Sequence, residues 1–263
     1  MVHLGFYRHD DSFAHRLDPR VKILATILLS ILILQAQEWE ILLLSAFLSA
    51  VCLIARLKLA EIRFALRPLA WLAALLFGLH LFFTEGKTLL QMPYLPVRIT
   101  EEGLFRGLLI SWQFLSLALS GIVLTMTTAP SELVGGLENL LSPLRRIGVP
   151  VQDIAVMVSL ALRFVPTLLE EFSRIKTAQL ARGAELETGR LDRRMKSMAV
   201  LLAPLLFSAF RRADDLAEAM ETRGYARGPR TSLHQLRFGG QEALALTALG
   251  FLLSLVLASK YYL

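Results

Sequence analysis

Apolar residues run along much of this chain in stretches too uniform for a half-buried strand and too complete around their circumference for a surface helix. A bilayer core takes about 20 helical residues. Against that length the candidates are Val21 to Ala36, Ile41 to Ala55, Leu69 to Phe83, Leu108 to Met126 and Ala243 to Ser259. Only Gln37, Glu38, Trp39 and Glu40 separate the first two, which makes a tight hairpin tip. Two further runs, Ile154 to Leu169 and Met198 to Phe210, carry a different pattern: the second is well below a spanning length, and both continue into charged halves. Arg163 sits inside the first of them, and a central Arg costs roughly 2.5 to 3.5 kcal/mol on insertion scales. Both are therefore read as amphipathic helices at the membrane surface, with seven spans as the competing reading.

Helix punctuation organises the stretch around these two runs. Ser131 precedes Glu132, Leu133, Leu137, Leu140 and Leu141, a capped amphipathic helix stopped by Pro143. Gly148, Val149 and Pro150 form the turn into a second helix ending near Arg182. A polar linker, 183–192, leads to a third, from about Arg193 to Arg223 and interrupted by Pro204. The expected organisation is thus a membrane region of four spans (1–127), a module of three amphipathic helices (128–240) and a final span (241–263). The fold class is an all-α membrane protein.

Charge orients the chain. Arg56, Lys58, Arg63 and Arg67 oppose a lone Glu61 after the second span, and Arg16, Arg20 and Lys22 stand just before the first. The positive-inside rule places both segments, and with them the amino terminus and the module, in the cytoplasm. Asp18 before Pro19 caps the first helix, leaving Arg20 and Lys22 at head-group level.

Composition agrees with the pattern. Of 263 residues, 55% are hydrophobic, and the mean hydropathy is +0.54, too apolar for an ordinary soluble domain. The net charge of +6 does not indicate nucleic acid, because the basic residues flank apolar runs. The single Cys52 lies within a span and builds neither a disulfide nor a metal site. No cleavable signal peptide is expected, since a polar lead of some twenty residues precedes the first span.

The residues that stand out are two Arg-Gly pairs closing the long helices of the module: Ala181-Arg182-Gly183 and Thr222-Arg223-Gly224. A cation at a helix end with Gly beyond it is ordinary capping chemistry when it occurs once. Its occurrence twice on matched helices points to a partner with two similar sockets. The helices match at Pro166 and Pro204, Leu168 and Leu206, Phe172 and Phe210, and Arg174 and Arg212, a weak internal repeat. A guanidinium presents five donors in a rigid fork, suited to a groove lined with carboxylates or carbonyls.

Other chemistry dissolves. Gly86-Lys87-Thr88 has Leu81 where a phosphate-binding loop needs its first glycine. His3, His9, His15, Asp10 and Asp11 lie on no element that would converge them on a metal, so none is assigned. His80 is alone in its span, and Asp153 and Arg163 read as interfacial charges. Adjacent Asp214 and Asp215 point about 100° apart on a helix and make no acid–base pair.

His15-Arg16-Leu17-Asp18-Pro19-Arg20-Val21-Lys22, Leu162-Arg163-Phe164-Val165-Pro166, Ala181-Arg182-Gly183 and Arg212-Ala213-Asp214 leading to Ala219-Met220-Glu221-Thr222-Arg223-Gly224-Tyr225 together resemble the transmembrane T component of energy-coupling factor transporters, the CbiQ-like family. The resemblance covers nearly the whole chain in order. It implies a non-catalytic scaffold in a bacterial or archaeal plasma membrane. Arg182 and Arg223 would dock into two ATP-binding cassette subunits, and Thr222 stands where the family often has Ala. The scaffold would also hold a small substrate-binding membrane protein, the S component, for a vitamin or a transition-metal ion such as nickel or cobalt. The chain itself would bind no cofactor, with ATP and magnesium held by the ATPase subunits. Small residues Ala155, Ser159, Ala161 and Ala203 are the expected S-component contact. Two alternatives are a membrane-embedded enzyme and a membrane subunit of a conventional ABC importer. One copy of this chain across two ATPases distinguishes the resemblance from the latter.

Overall fold

The structure is a computed structural model that describes residues 12–91, 98–183, 191–225 and 239–262. The described chain is helical: α1 (Phe13–Arg16), α2 (Pro19–Gln35), α3 (Glu38–Ile54), α4 (Leu59–Phe83), α5 (Glu101–Thr127), α6 (Pro130–Leu140), α7 (Val151–Ala181), α8 (Leu191–Thr222) and α9 (Gly240–Tyr262). One small exception was not anticipated: β1 (Thr88–Gln91) and β2 (Arg98–Thr100) pair antiparallel between α4 and α5. The helices fall into two compact units, one built from α1 to α6 with α9, the other from α7 and α8.

In the first unit, α2, α3 and α9 meet in a core of Leu29, Leu32, Ile33, Leu44, Leu48, Leu249, Leu252 and Val256. Asp18 begins α2 as its sequence implies, accepting from the Arg20 amide at 2.8 Å with Pro19 in the first turn. Lys22, however, is buried within the protein rather than exposed. The hairpin tip between α2 and α3 is shorter than expected, because α3 already starts at Glu38. Glu40 is buried there rather than solvated, accepting from the Gln37 amide at 2.9 Å and from the Ser259 hydroxyl of α9.

The end of α3 turns sharply through Arg56, which adopts φ +54°. The Arg56 amide bonds Leu53 O at 3.0 Å and the Leu57 amide bonds Cys52 O at 3.1 Å. This is the paired bonding of a Schellman ending, with a buried Leu57 packed into the cluster that holds Cys52. Arg63 and Arg67, expected in a loop, belong to α4, which begins ten residues before the apolar run and contains Pro68. Backbone hydrogen bonding sets a helix boundary, and hydropathy marks only the part in lipid.

α4 and α5 pack most closely. A Cβ on Gly103 would lie 2.8 Å from His80 O, and one on Gly107 would lie 3.1 Å from Phe77 O. One turn further, the Ser111 hydroxyl donates to Ala73 O at 3.0 Å. Small residues every fourth position let two membrane helices approach backbone to backbone. After α5, the residue that caps α6 is Ala129, with Pro130 in the first turn, not Ser131, and Glu132 reaches back to the Ala129 amide at 3.4 Å. α6 ends at Leu140, two residues short of Ser142, and Pro143, which has no N–H to continue the ladder, follows in a separate 3-10 turn, Ser142–Ile147.

Among the described residues, α4, α5, α7 and α9 are long and apolar enough to cross a bilayer, and α3 is apolar but shorter. Of the expected spans, α4, α5 and α9 reach this measure, and α2, at 17 residues, is as short as α3. α7 reaches it too, although Arg163, exposed within it, led the sequence reading to a surface helix.

Candidate coupling site

α7 and α8 each contain a proline, Pro166 and Pro204, yet continue for 31 and 32 residues. Each proline removes one ladder hydrogen bond. Between the helices lies a cavity of about 410 Å³. Met157, Leu160, Phe164 and Leu168 line it from α7, and Ala209, Ala213, Leu216 and Met220 from α8, both at helical spacing. At its edge Arg212 donates to Glu171 at 2.9 Å. The Arg212 side chain is 42% exposed, so this pair aligns two surfaces and adds little stability.

The repeat seen in the sequence does not carry over into packing. Leu168 lines the cavity, while its counterpart Leu206 is exposed, as is Phe210. The equivalence lies instead at the helix ends. α7 ends at Ala181 and α8 at Thr222, so Arg182 and Arg223 occupy the same position, the residue directly after the last helical one. Gly183 follows with φ +82° and Gly224 with φ +75°. The Gly183 amide bonds Leu180 O at 3.0 Å, and the Gly224 amide bonds Glu221 O at 2.9 Å. The Tyr225 amide then closes on Met220 O at 2.9 Å, completing the Schellman pattern at α8.

Among the described residues, nothing beyond the immediate chain neighbours lies within 4 Å of where a Cβ would stand on either glycine. Backbone conformation therefore demands glycine there, and crowding does not. Ala181, Arg182 and Gly183 are all exposed, and so are Thr222, Arg223 and Gly224. The hydroxyl of Thr222 bonds back to Ala219 O at 3.1 Å, which absorbs its extra polarity within the helix. Each helix thus presents one guanidinium beyond its final turn, on a backbone fixed by a left-handed glycine. Sequence reasoning placed both arginines here but missed Tyr225 as the closing donor. It also missed the Glu171–Arg212 pair, for which only opposite charge gave a signal.

The small residues divide. Ser159, Ala161 and Ala203 are exposed, whereas Ala155 is buried and offers no free face. His80 bonds within its own helix, Nδ1 to Leu76 O at 3.0 Å. The Lys87 amide donates to the Glu102 carboxylate at 2.7 Å, so an anion of the chain itself already occupies it. His15 Nδ1 lies 2.7 Å from the Ser12 hydroxyl, while His3, His9, Asp10 and Asp11 fall outside the described residues. Among the described residues no three metal-ligating side chains converge. Asp214 and Asp215 are both exposed on α8.

The family model described as "CbiQ: Cobalt transport protein" matches residues 10–233. The energy-coupling factor transporter transmembrane protein EcfT of Thermosediminibacter oceani is 40% identical over 253 residues, 95% of both chains. The chain belongs to the CbiQ family. Two further EcfT proteins agree with this: that of Heliobacterium modesticaldum is 42% identical over 243 residues, 92% of this chain and 91% of its own. That of Bacillus subtilis is 37% identical over 256 residues, 96% of each. This CbiQ-family chain is accordingly a multi-pass membrane T component, the energy-coupling transmembrane part of an energy-coupling factor transporter.

Proposed function

We propose that the chain is a non-catalytic scaffold that transmits ATP hydrolysis in two ATP-binding cassette subunits to reorientation of a small S component carrying a micronutrient. The observation that carries this reading is the matched pair of helix ends, Arg182-Gly183 and Arg223-Gly224, each exposed and each set by a positive-φ glycine. Two identical sockets on a pair of ATPases are what such a pair fits. ATP and magnesium belong to those subunits, and this chain holds no cofactor. The amino terminus and the coupling helices face the cytoplasm, where ATP is available, in keeping with the basic residues Arg56, Lys58, Arg63 and Arg67. Exposed Ser159, Ala161 and Ala203 supply a close-packing surface for the S component. The solute is a vitamin or a transition-metal ion, chosen by the S component. Gentle purification with identification of co-purifying chains tests the assembly: two ATPase copies and one small membrane protein per chain are expected. Truncating a buried interface Arg typically costs 2 kcal/mol or more. Arg182→Ala and Arg223→Ala should each reduce uptake, and the double variant should abolish it. Uptake at the unaltered level in the double variant would refute the reading.

A further inference from the structure

Lys22 lies in the second turn of α2 and is only 8% exposed. Its Nζ donates to His15 O, in the last turn of α1, at 3.0 Å, and to Thr127 O, the last residue of α5, at 2.9 Å. The final carbonyls of a helix lack partners within it, and that end of the helix dipole favours a cation. The Thr127 hydroxyl is turned away, donating to Val123 O at 2.7 Å, so the ammonium is what satisfies the Thr127 carbonyl. Directly after it, Thr128 and Ala129 are extended and carry the chain into α6. The carboxylates of Asp18, before α2, and Glu132, in the first turn of α6, lie within electrostatic reach of the same ammonium. α6 then presses on α2 without a gap: a Cβ on Gly136 would stand 3.0 Å from Pro19 Cβ and 3.1 Å from Ile23 Cδ1.

Three helices thus meet on one buried charge, and the start of α6 lies within its electrostatic reach. A buried ammonium is costly unless it is paired and hydrogen-bonded. An unbranched apolar side chain of similar length would fill the same space, so packing does not call for lysine here; the orphan carbonyls and the two carboxylates do. We propose that Lys22 is a positioning residue whose ammonium clamps the end of α5 and the start of α6 onto α2, fixing the last helix before the coupling helices. Its effect on transport rests on the coupling reading above; the clamp itself does not.

The test compares the unaltered chain with Lys22→Met, Lys22→Gln and Lys22→Arg in lipid nanodiscs. Hydrogen exchange of the α6 amides is measured on the full chain alone. Uptake per ATP hydrolysed is measured on the chain purified with its natural partners and reconstituted. Lys22→Met should speed α6 exchange roughly tenfold or more and lower uptake per ATP while hydrolysis continues. Lys22→Arg, which keeps the charge and its donors, should restore most of both. Lys22→Gln keeps one donor group and falls between, and it provides the comparison if the methionine variant does not fold. Wild-type exchange of α6 in the folded neutral variants overturns the clamp. Faster α6 exchange with unchanged uptake per ATP overturns the positioning role. If the unaltered complex shows no ATP-driven uptake, the coupling reading fails, and the exchange arm still decides the clamp.

Discussion

Gly224→Ala isolates the backbone from every other influence at the end of α8. Among the described residues, nothing beyond the immediate chain neighbours comes within 4 Å of the added methyl group, so the substitution meets no clash there. Its cost is that of holding an alanine at φ +75°, roughly 1–2 kcal/mol for an L-residue in the left-handed region. The chain can avoid that cost by giving up the two closing bonds, Gly224 N to Glu221 O and Tyr225 N to Met220 O, both 2.9 Å. Either way the last turn opens more often, by about tenfold for 1.4 kcal/mol. The guanidinium of Arg223 then loses its fixed exit from the helix. Hydrogen exchange of the amides at Gly224 and Tyr225 reads the opening, and uptake by the reconstituted complex reads its effect. Gly224→Asn is the control, because asparagine visits the left-handed region more readily, and it should retain most of both. Alanine at 224 with unaltered protection and uptake would refute the claim that this conformation sets the arginine.

Arg56→Gly should stabilise the chain, since glycine takes φ +54° without strain. The relief of roughly 1–2 kcal/mol is offset by roughly 0.5–1 kcal/mol of glycine's extra chain entropy, and a rise of about 1–4 °C in thermal midpoint in detergent is the expected result. Gly107→Val places its Cβ about 3.1 Å from Phe77 O; overpacking of this kind costs roughly 1–3 kcal/mol, visible as a lowered midpoint and weaker α4–α5 cross-linking. Ser259→Ala removes a donor from the buried Glu40 carboxylate and should cost about 1–3 kcal/mol in the same melt.

The features legible in the sequence were those in which one residue's chemistry decides a local outcome. Asp18 and Pro19 started α2, and Arg182-Gly183 and Arg223-Gly224 ended α7 and α8, because caps are set by neighbours along the chain. Helix beginnings in mixed-polarity stretches were misplaced: α4 starts at Leu59 because Arg63 and Arg67 favour a helix as readily as the apolar residues after Leu69. Lys22 read as a surface charge since nothing local reveals that the end of α5, 105 residues away, supplies its acceptor. Gly103 and Gly107, four residues apart in an apolar stretch, carried a readable signal for close helix packing that was not used. The proline-aligned repeat misled because burial depends on which turns meet the neighbouring helix: the cavity is lined from Met157 to Leu168 on α7, around its proline, but from Ala209 to Met220 on α8, beyond its proline.

The prolines of α7 and α8 also define lever arms. Arg182 lies sixteen residues beyond Pro166 and Arg223 nineteen beyond Pro204, so at 1.5 Å per residue the arms are about 24 and 28 Å long. A helix bends most easily where proline has removed a hydrogen bond. A swing of about 10° there would carry each guanidinium about 4–5 Å, close to one helical turn. Small angular changes within the helices would thereby become strokes at their tips comparable to the rise of a turn, and a push on either tip would return to the same point as torque.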